Sequence, residues 1–558
     1  MKDSRLRRNL STLRQVLDWD GPPALSTRIQ PFQSGRGLPL SKTLSRERAL
    51  LCGCISLVCW MWTAGIAYGG PIRNDGASWP TLHGDLQRSG FYPKFPNGPL
   101  KLVWRQELWR ELTGPRAEVI AGGGLAFMGT YAGRMYAWDT STGQEKWAFK
   151  TQGAIGHSPM FFDGTLFFGS MDRRLYAVDA NNGKEKWRFE AAEGIWTSPL
   201  AYHGLVLFGA RDGIFYALDA ATGQAAWKFQ TGDRILTSAS ISEDGRRVLF
   251  ASEDMHLYCL NLGDGALLWK SRKLHGLSIR DYFPVICRGL VFITTNPVKD
   301  FHTVLGQHQE MLVKRTGFTG KDNRYIPGTS QDVEKEQAAI VEFLKANPAE
   351  QTFYAFDVSD GQEAWIAPIL YTGGLHNPLT PPCCNPQTGQ VFTQVRSAYG
   401  IWDGGGEVRP FTGFGKLEPK TGRVELIEHG YKSKDPARPP GAKDMPWMTM
   451  NYIGDETQTL SCSPELLLCT HQGFIGSMNL QTRLTASLYG KRDTYGGFYG
   501  AGNFGWENQG GYEKARTAGQ PYGIVNEWHG PARAIVSVAG KQVFFHAGSQ
   551  VICLEERP

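Results

Sequence analysis

A short block recurs along this chain, and its regular spacing restricts the possible folds more than any other feature of the sequence. Three copies align without gaps at a period of 40 residues: YAWDTSTGQEKWAF (136–149), YAVDANNGKEKWRF (176–189) and YALDAATGQAAWKF (216–229). Further copies are YCLNLGDGALLW (258–269) and, after a long insertion, YAFDVSDGQEAW (354–365). Self-similarity at such a period is typical of solenoids and propellers, in which each repeat is one structural unit. One continuous repeat architecture is therefore predicted.

Each block has the pattern of a β-hairpin. Its Tyr-Ala-x start alternates as a half-buried strand does, Asp139 can accept hydrogen bonds from the backbone amides of a turn, and Gly143 can adopt a positive φ. A second hairpin precedes each block, as in SPMFFDGTLFFGS (158–170) and SPLAYHGLVLFGA (198–210). Two hairpins give four strands per repeat, which is one blade of a β-propeller.

Degenerate copies of the block bring the number of predicted blades to eight. They are KLEPKTGRVEL (416–426), SMNLQTRLTAS (477–487) and VICLE (551–555). The last copy stops before its outer strand, and LVWRQEL (102–108) can supply that strand by pairing beside VICLE. Joining the two ends of the repeat region closes the ring and leaves no exposed sheet edge. We therefore predict an all-β fold, an eight-bladed β-propeller of four-stranded antiparallel blades spanning residues 79–558.

Residues 299–352 interrupt the fifth blade and are predicted to contain a helix. Within SQDVEKEQAAIVEFLKANP (330–348), Ser330 can cap the N-terminus and acidic residues fill the first turn. Ala338, Ile340 and Leu344 give an apolar stripe. A small helical insertion lying on one face of the propeller is therefore expected.

The positive charge of the chain is confined to its N-terminus. Residues 1–48 carry ten Lys or Arg against four Asp or Glu, and 49 residues of each sign follow. The propeller region is therefore neutral, and a nucleic-acid partner is not indicated. Residues 1–48 are expected to be a basic, disordered tail or an extension that results from a start site assigned too early.

An uncharged stretch separates this tail from the propeller. Residues 49–68, ALLCGCISLVCWMWTAGIAY, are long enough to span a bilayer, and Arg46 and Arg48 precede them. The basic flank predicts that the preceding residues stay in the cytoplasm and that the rest is exported. Ala67-Tyr68-Gly69 has the alternating small residues of a signal-peptide cleavage site. Residues 49–70 are thus a signal peptide or a membrane anchor, membrane contact is confined to 49–68, and the expected location is periplasmic or extracytoplasmic.

The repeated blocks resemble the tryptophan-docking motif of the pyrroloquinoline quinone (PQQ) repeat family. The shared pattern is Ala-x-Asp-x-x-Thr/Asn-Gly-x-x-x-Trp, present at 137–147, 177–187 and 217–227. WPTLHGDLQRSGF (79–91) also resembles the segment that leads into exported propellers of that family. The resemblance implies a quinoprotein-alcohol-dehydrogenase-like propeller over residues 79–558. The family includes quinoprotein dehydrogenases, an outer-membrane assembly lipoprotein that is a scaffold, and exported propellers of unknown role.

The resemblance to the dehydrogenases implies PQQ over the channel with a calcium ion, an Asp acting as base and, in several members, a disulfide between adjacent cysteines stacked on the quinone. The sequence contains no C-x-x-C-H, so covalent c-type haem is excluded. No acidic Ca²⁺-binding loop stands out, and no metal ligands are predicted. No cofactor is therefore predicted outright, and PQQ with Ca²⁺ is kept as the alternative.

Two adjacent cysteines in PPCCNP (381–386) are the feature that most favours an enzyme. Alignment with the other blades places Cys383 and Cys384 at the end of the sixth inner strand, on the side away from the face where the resemblance would place a cofactor. Adjacent Cα atoms are about 3.8 Å apart, below the roughly 4.4 Å minimum of ordinary disulfides. A thiol pair lining the turn is the favoured interpretation, ahead of a vicinal disulfide and of a cofactor platform.

The residue before each Ser-Pro pair marks where an inner strand begins at the mouth of the channel. Reading this position blade by blade gives a polar ring: Arg116, His157, Thr197, Thr237, Tyr282, His376, Gln458 and Arg533. Propeller channels are generally wet, so a need for hydrogen-bonding groups would by itself explain such a ring. The sharper interpretation is an anionic or carbohydrate-like ligand held by Arg116 and Arg533, with His157 or His376 as partner.

Long loops are expected around this ring. DMPWMTMNY (444–452) contributes Trp447, and NEWHGPAR (526–533) contributes Trp528 and His529. Aromatic rings on such loops suit a planar or sugar-like ligand or a protein partner, and they equally suit a plug that fills the channel. Asp281 is the one acidic residue near the mouth to test as a base, although an ion pair bracing a loop would also explain it.

Together these features favour a monomeric, non-catalytic binding or scaffold protein of the cell envelope, with an envelope protein or a small polar ligand bound at the channel mouth. A PQQ-dependent quinoprotein oxidoreductase of alcohols or sugars is the alternative. No Ser-His-Asp or Cys-His set can be assembled from the sequence, so nucleophilic catalysis has no support.

Overall fold

The computed structural model describes residues 78–557 with gaps at 97, 109–110, 112, 114–116, 281, 299–329, 370–380, 403–407, 429–458, 472–473, 483–484, 490, 493–497, 500–535 and 548–549. The chain divides into two compact units, Met1–Gly70 and Pro71–Pro558, and every described residue belongs to the second. The predictions for residues 1–70 lie outside the described residues. In the described part of the chain, no helix is long and apolar enough to cross a membrane.

Eight four-stranded antiparallel sheets form the propeller, as predicted from the repeat. The first strand, β1 (Leu100–Glu107), belongs to the last blade. Blade 1 consists of β2 (Ile120–Gly122), β3 (Leu125–Gly129), β4 (Arg134–Asp139) and β5 (Glu145–Lys150). Blade 2 consists of β6 (Met160–Phe162), β7 (Thr165–Gly169), β8 (Arg174–Asp179) and β9 (Glu185–Glu190).

The next three blades follow the same strand order. Blade 3 consists of β10 (Leu200–Tyr202), β11 (Leu205–Gly209), β12 (Ile214–Asp219) and β13 (Ala225–Gln230). Blade 4 consists of β14 (Ser240–Ile241), β15 (Arg247–Ser252), β16 (His256–Asn261) and β17 (Leu267–Lys270). Blade 5 consists of β18 (Val285–Cys287), β19 (Leu290–Thr294), β20 (Phe353–Asp357) and β21 (Glu363–Trp365).

The last three blades complete the ring. Blade 6 consists of β22 (Cys383–Asn385), β23 (Gln390–Trp402), β24 (Val408–Leu417) and β25 (Val424–Glu428). Blade 7 consists of β26 (Thr459–Cys462), β27 (Leu466–His471), β28 (Phe474–Asn479) and β29 (Thr485–Tyr489), followed by a small hairpin of β30 (Lys491–Arg492) and β31 (Phe498–Tyr499). Blade 8 consists of β32 (Ser537–Ala539), β33 (Gln542–Ala547), β34 (Gln550–Glu556) and β1.

The ring closes where the two ends of the repeat region meet. β1 pairs antiparallel with β34, and Trp104 lies opposite Cys553. The predicted donation of the missing outer strand by residues 102–108 is therefore confirmed. In this sheet the N-terminal strand of the propeller pairs with the C-terminal strand, so no strand edge is left unpaired at the junction.

Each repeat tryptophan joins its blade to the next one. Nε1 of Trp147 donates a hydrogen bond of 2.8 Å to the carbonyl oxygen of Ala180. The same bond links Trp104 to Thr140, Trp187 to Ala220, Trp227 to Leu262, Trp269 to Val358 and Trp365 to Pro419. The turn glycine beside each acceptor has a positive φ, 70° at Gly183, which a side chain would strain. The turn aspartates act as predicted, since Asp139 Oδ1 accepts from the backbone amides of Ser141 (3.0 Å) and Thr142 (3.1 Å).

The insertion in blade 5 contains the predicted helix, α1 (Ser330–Ala346), followed by a 3₁₀ turn at Pro348–Glu350. Ile340 and Leu344 are buried, whereas Ala338 is exposed and does not belong to the apolar stripe. The side-chain amide of Gln337 bonds both backbone groups of Val424, donating to its carbonyl and accepting from its amide. Because β25 is the outermost strand of blade 6, the helix lies against the rim of the propeller and not over the channel.

Residues 78–92, the central strap, run along the inner edges of the innermost strands. Trp79 pairs with Ala121 of blade 1. Carbonyl oxygens of the strap accept hydrogen bonds from inner-strand amides of other blades: Pro80 from Phe161 (2.8 Å), Leu86 from Ile241 (2.8 Å), Gln87 from Ile286 (3.0 Å), Ser89 from Cys384 (2.8 Å) and Gly90 from Cys462 (2.9 Å). The other edge of each inner strand is already paired within its blade, so the strap must lie on the side of the channel axis.

The side chains of the strap complete the core between blades. Trp79 stacks on Tyr92 with ring centroids 4.6 Å apart, and both pack among residues of blades 7, 8 and 1. Leu86 packs in the cluster of blades 2, 3 and 4, and Leu82 packs in that of blades 5 and 6. All four side chains are almost completely buried. The strap is therefore an integral part of the hydrophobic core.

Candidate functional site

The candidate site is the mouth of the channel on the side where the inner strands begin. The inner strand β6 (Met160–Phe162) lies between Ser158-Pro159 and the turn at Asp163-Gly164, and the strap bonds to its second residue, Phe161. The same position is bound in blades 1, 4, 5 and 6. The ring position, one residue before the Ser-Pro pair, therefore lies ahead of each inner strand, in blade 2 four residues before the residue that the strap binds.

The structure describes four members of the predicted ring: His157, Thr197, Thr237 and Tyr282. The other ring positions, Arg116, His376, Gln458 and Arg533, lie outside the described residues, as do Asp281, Trp447, Trp528 and His529. The ligand-binding roles assigned to these side chains stay predictions.

Three of the described ring residues use their hydroxyl groups within their own blades. Thr197 Oγ1 donates to the carbonyl of Gly209 (2.8 Å), and Thr237 Oγ1 donates to that of Ala251 (2.5 Å). Tyr282 donates from its hydroxyl to Asn296 Oδ1 (3.0 Å). The two threonine bonds fasten the start of the inner strand to the second strand of the same blade, and the Tyr282 bond fastens it to the segment just after that strand. The polarity of these positions therefore serves the geometry of the blades as well as any ligand.

A tryptophan that the ring pattern did not reveal lies over His157. The His157 ring meets Trp196 edge-on, with centroids 5.5 Å apart, and Tyr131 lies 5.8 Å from the same indole. A Cβ added to Gly156 would come within 2.4 Å of Trp196 Cη2, so the indole needs a glycine beneath it. Trp196 is half-buried and immediately precedes the ring residue Thr197. Reading only the ring position in each blade left this aromatic surface out.

Three arginines from neighbouring blades lie at the mouth. Arg211 lies between β11 and β12, Arg234 shortly before the fourth inner strand, and Arg280 shortly before the fifth. Burial lowers the pKa of Arg211, and repulsion from Arg234 lowers it further. Burial likewise lowers the pKa of Arg280, with a smaller contribution from Arg234. Guanidinium groups that repel one another at the edge of a channel create a positive potential that attracts anions.

Three acidic side chains offset this charge, and one of them, Glu193, attracts Arg211. Asp233 forms an ion pair with Arg234 (3.6 Å), and Glu253 attracts Arg280. Glu253 is held in place because its carboxylate accepts hydrogen bonds from the Ser278 hydroxyl (2.8 Å) and from the amide of Ile279 (3.1 Å). Burial raises the pKa of Glu253, and Arg280 lowers it. The mouth thus combines oriented arginines with a carboxylate whose ionisation is sensitive to its surroundings.

Buried charged residues fasten the strap to the blades inside the channel. Arg88 donates from Nε to the carbonyl of Ala239 (3.1 Å) and from one Nη to Thr81 Oγ1 (2.8 Å). Glu118 Oε2 accepts from Trp79 Nε1 (3.2 Å) and from the amide of His83 (2.8 Å). Almost all of these groups are inaccessible to solvent. Hydrogen bonds to the backbone of several blades therefore replace water around these charges.

Burial shifts the ionisation of this group strongly. It lowers the pKa of Arg88 to about 9, although attraction to Glu118 and Asp85 opposes the change. It raises the pKa of Glu118 to about 7 and lowers that of His83 to about 3. These groups brace the interior, and their shifts have a structural cause that does not require a ligand.

The adjacent cysteines occupy the inner strand of blade 6, as predicted. Cys383 and Cys384 are free thiols with no exposed surface. The carbonyl of Ser89 accepts from the amide of Cys384, which places the strap between β22 and the channel axis. The pair therefore presents no face on which a quinone in the channel could stack, and the platform role does not fit. In the described part of the chain, no group of three or more His, Cys, Asp or Glu side chains could hold a metal ion.

Solved structures similar to this chain include a BamB protein and dehydrogenases of alcohols. BamB from Moraxella catarrhalis is 12% identical, with a TM-score of 0.44 over 82% of this chain and 97% of that chain. Quinohemoprotein alcohol dehydrogenase from Comamonas testosteroni is 12% identical, with a TM-score of 0.48 over 86% of this chain and 80% of that chain. A europium-containing methanol dehydrogenase is 11% identical, with a TM-score of 0.49 over 86% of this chain and 98% of that chain.

The family comparison agrees with the repeat motif. No curated protein sequence matches the chain. A family model described as outer membrane protein assembly factor BamB matches residues 101–168 and 147–367, which contain the five clearest copies of the tryptophan-docking block. The same blocks form blades joined by Trp-to-carbonyl hydrogen bonds in the eight-bladed ring. Over residues 101–367 the chain is therefore similar to the PQQ-like β-propeller repeat family.

Proposed function

We propose that this protein is a non-catalytic binding or scaffold propeller of the cell envelope that holds an anionic group at the mouth of its channel. The observation that carries the proposal is the cluster of Arg211, Arg234 and Arg280, contributed by three neighbouring blades. Arginine binds carboxylate and phosphate groups through two parallel hydrogen bonds, which makes such a cluster a good anion site. The predicted ring residues Arg116 and Arg533 would add to it from blades 1 and 8.

The strap supports the choice of the mouth as the binding end. Its backbone occupies the inner edges of strands in blades 1, 2, 4, 5, 6 and 7, at residues that follow the ring position in each blade. A ligand that enters along the axis would thus approach from the side of His157 and Trp196. The half-buried indole of Trp196 offers a flat apolar surface beside the arginines, as sugars and peptide side chains require.

An envelope location agrees with two independent features. The uncharged segment at 49–68, with Arg46 and Arg48 before it, is the pattern of an export signal or anchor. The matching family model is described as an outer membrane protein assembly factor. We therefore place the propeller on the outer side of the cytoplasmic membrane, as a monomer that recognises an envelope protein or a small polar ligand.

The quinoprotein alternative also has one feature in its favour. PQQ carries carboxylate groups, so the arginines at the mouth would suit it as they suit other anions. The buried cysteine pair and the strap over it do not contribute to such a site. The proposal must therefore be tested against a cofactor as well as against simple anions.

Isothermal titration of the exported protein with citrate, inorganic phosphate and PQQ with Ca²⁺ tests the anion site. The double variant Arg211→Gln/Arg280→Gln is expected to bind the best of these probes at least about tenfold more weakly than the wild type, a loss of roughly 1.4 kcal/mol. Arg188→Gln, on the exposed outer strand of blade 2, serves as the matched control and should bind as the wild type does. Equal binding by the double variant, or no binding of any probe, would show that the anion site is wrong.

Enzymatic activity is measured in the same preparations. The protein loaded with PQQ and Ca²⁺ is assayed for dye-linked oxidation of primary alcohols and aldoses. We expect no turnover above that of free PQQ. Turnover that is saturable in substrate and is lost in the double variant would replace the binding function with the quinoprotein alternative.

A further inference from the structure

Four cysteines lie side by side on the inner strands of three neighbouring blades. Cys287 ends β18 of blade 5, Cys383 and Cys384 begin β22 of blade 6, and Cys462 ends β26 of blade 7. Each of the four side chains has 0% of its surface exposed. β22 contacts both β18 and β26, so the thiols of blade 6 lie between those of its two neighbours.

The two adjacent thiols point to different blades. Successive side chains of a strand project to opposite faces, so Cys383 and Cys384 cannot face the same neighbour. Cys384 Sγ lies 3.8 Å from the carbonyl oxygen of Ile286, the residue before Cys287, and interaction with the Cys287 thiol helps to raise the pKa of Cys384. On the other face, β22 packs against β26, and interaction with the Cys383 thiol helps to raise the pKa of Cys462. The four sulfurs thus form two separate pairs, one across each junction between blades.

The strap fixes the three strands at matching levels. Its carbonyl oxygens accept from the amides of Ile286 (3.0 Å), Cys384 (2.8 Å) and Cys462 (2.9 Å). One continuous backbone segment therefore sets the height of each inner strand relative to its neighbours. A shift of one strand along its axis would break a bond to the strap and would separate the thiols of that junction.

We propose that the exported protein carries two disulfides between blades, Cys287–Cys384 and Cys383–Cys462. In each case two S–H bonds break and one S–S bond forms, with release of two protons and two electrons. The electrons pass to the disulfide of a thiol–disulfide oxidant, which is reduced to its dithiol. Such oxidants act in the compartments outside the cytoplasm where structural disulfides form.

The burial of the sulfurs determines when these bonds can form. The attacking species in thiol–disulfide exchange is the thiolate. Burial raises the pKa of Cys384 and of Cys462 well above the ordinary thiol value, so both are protonated in the folded protein. The exchange must therefore take place during folding, before the strap covers the inner strands. Once formed, the bonds are shielded from soluble reductants.

The two disulfides would hold together the part of the ring that has the fewest docking tryptophans. Trp365 makes the last of the described Trp-to-carbonyl bonds between blades, at Pro419 of blade 6, and the degenerate block of blade 6 has no tryptophan to dock on blade 7. Together the bonds would close loops of roughly a hundred and roughly eighty residues, long enough for a large reduction in the entropy of the unfolded chain. Adjacent cysteines in blade 6 thus allow one strand to be joined to both neighbours.

Peptide mapping of the full-length exported protein tests the pairing. The protein is purified without reductant, unfolded in the presence of N-ethylmaleimide and digested with trypsin. The expected product is a species of three peptides, containing Cys287, the Cys383-Cys384 pair and Cys462, that separates after reduction. Cys259 and Cys553 lie singly in strands of blades 4 and 8 and should be recovered alkylated, as internal controls.

Single variants assign each bond. Cys383→Ala is expected to leave only the link between Cys384 and Cys287, and Cys384→Ala only the link between Cys383 and Cys462. Alkylation of all four cysteines in the wild type, or a bond between Cys383 and Cys384 themselves, would overturn the proposal. The wild-type map decides this even where a variant fails to fold.

Discussion

The indole of Trp147 in blade 1 lies against Gly183 of blade 2, where a Cβ added to the glycine would come within 2.7 Å of Trp147 Cδ2. Nε1 of the same indole bonds the carbonyl of Ala180 in the same turn. The junction therefore needs a residue without a side chain at a φ of 70°. The same arrangement recurs at five further junctions, so the stability of the ring depends on a set of nearly identical contacts.

Gly183→Ala is expected to destabilise the propeller by about 3 kcal/mol, because left-handed strain adds to a collision with the Trp147 ring. Urea unfolding followed by tryptophan fluorescence measures the loss. Gly204→Ala is the matched control, since Gly204 has a φ of 76° and nothing within 4 Å of an added Cβ. In the control, only the left-handed strain should lower the free energy of unfolding, by about 1 kcal/mol. Equal losses at the two positions would contradict the packing role of the glycine.

Glu118→Gln is expected to abolish a loss of folding stability that the wild type shows as the pH rises. With a folded pKa of about 7 against an ordinary 4.5, the folded state retains a proton that the unfolded state releases between these values. The wild type therefore loses stability as pH rises from about 4.5 to 7, whereas the substituted protein, with a neutral amide at this position, does not. The free energy of unfolding of the variant, relative to that of the wild type, should therefore increase by up to about 3 kcal/mol between pH 5 and pH 8.

The measurement for Glu118 is urea unfolding of both proteins at pH 5 and at pH 8. Glu193→Gln, which changes an exposed carboxylate on blade 3, is the control and should follow the wild type at both values. A difference between Glu118→Gln and the wild type that is the same at pH 5 and pH 8 would show that Glu118 is not a buried ionisable group.

Arg88→Ala is expected to cost about 3 kcal/mol or more, because it removes the bonds to Thr81, Leu82 and Ala239 and leaves buried carboxylates without a counter-charge. Thermal unfolding measures the effect, and limited proteolysis reports whether residues 78–92 have been released. Arg188→Ala removes an exposed arginine that pairs with Glu185, and it should change the stability by about 0.5 kcal/mol or less. A loss at Arg88 no greater than that at Arg188 would contradict the bracing role.

Gln337→Ala is expected to loosen the helix at the rim of blade 6. The amide of Val424 donates to Gln337 Oε1 over 3.1 Å, and loss of that acceptor should speed its hydrogen exchange about tenfold. Glu334→Ala removes an exposed ion pair between the same helix and Arg423, and the Val424 amide should then exchange at the wild-type rate. Unchanged exchange in Gln337→Ala would show that the helix does not protect β25.

The fold could be predicted because its determinants are local and repeated. The aspartate, glycine and tryptophan of each block act within one turn and on the adjacent blade, as Asp139 and Trp147 do. The closing role of residues 102–108 followed from a missing strand and a matching sequence. The position of the helix did not follow in the same way, because its partner at Val424 lies in another blade.

The site was predicted less completely, for two physical reasons. The ring position recurs once per blade and could be read off the repeat, whereas Arg211, Arg234 and Trp196 lie at non-equivalent loop positions. The strand that holds the adjacent cysteines was predicted correctly, although Cys383 and Cys384 begin it and do not end it. The side chains of Cys383 and Cys384 point to opposite faces of the strand. Their pairing with thiols of the adjacent blades could be inferred only once the positions of Cys287 and Cys462 were known.

The strap has a consequence for the order of assembly. Its His83 donates from Nε2 to the carbonyl of Leu460 (3.2 Å), a residue 377 positions later in the chain. A chain that emerges N-terminus first therefore carries Trp79 and Tyr92 without their partners until blade 7 has been delivered. The strap is thus the first part of the propeller to be synthesised and among the last to pack against its partners. Shortened chains that end before residue 460 should accordingly remain partly folded and prone to aggregation, and they should not form smaller propellers.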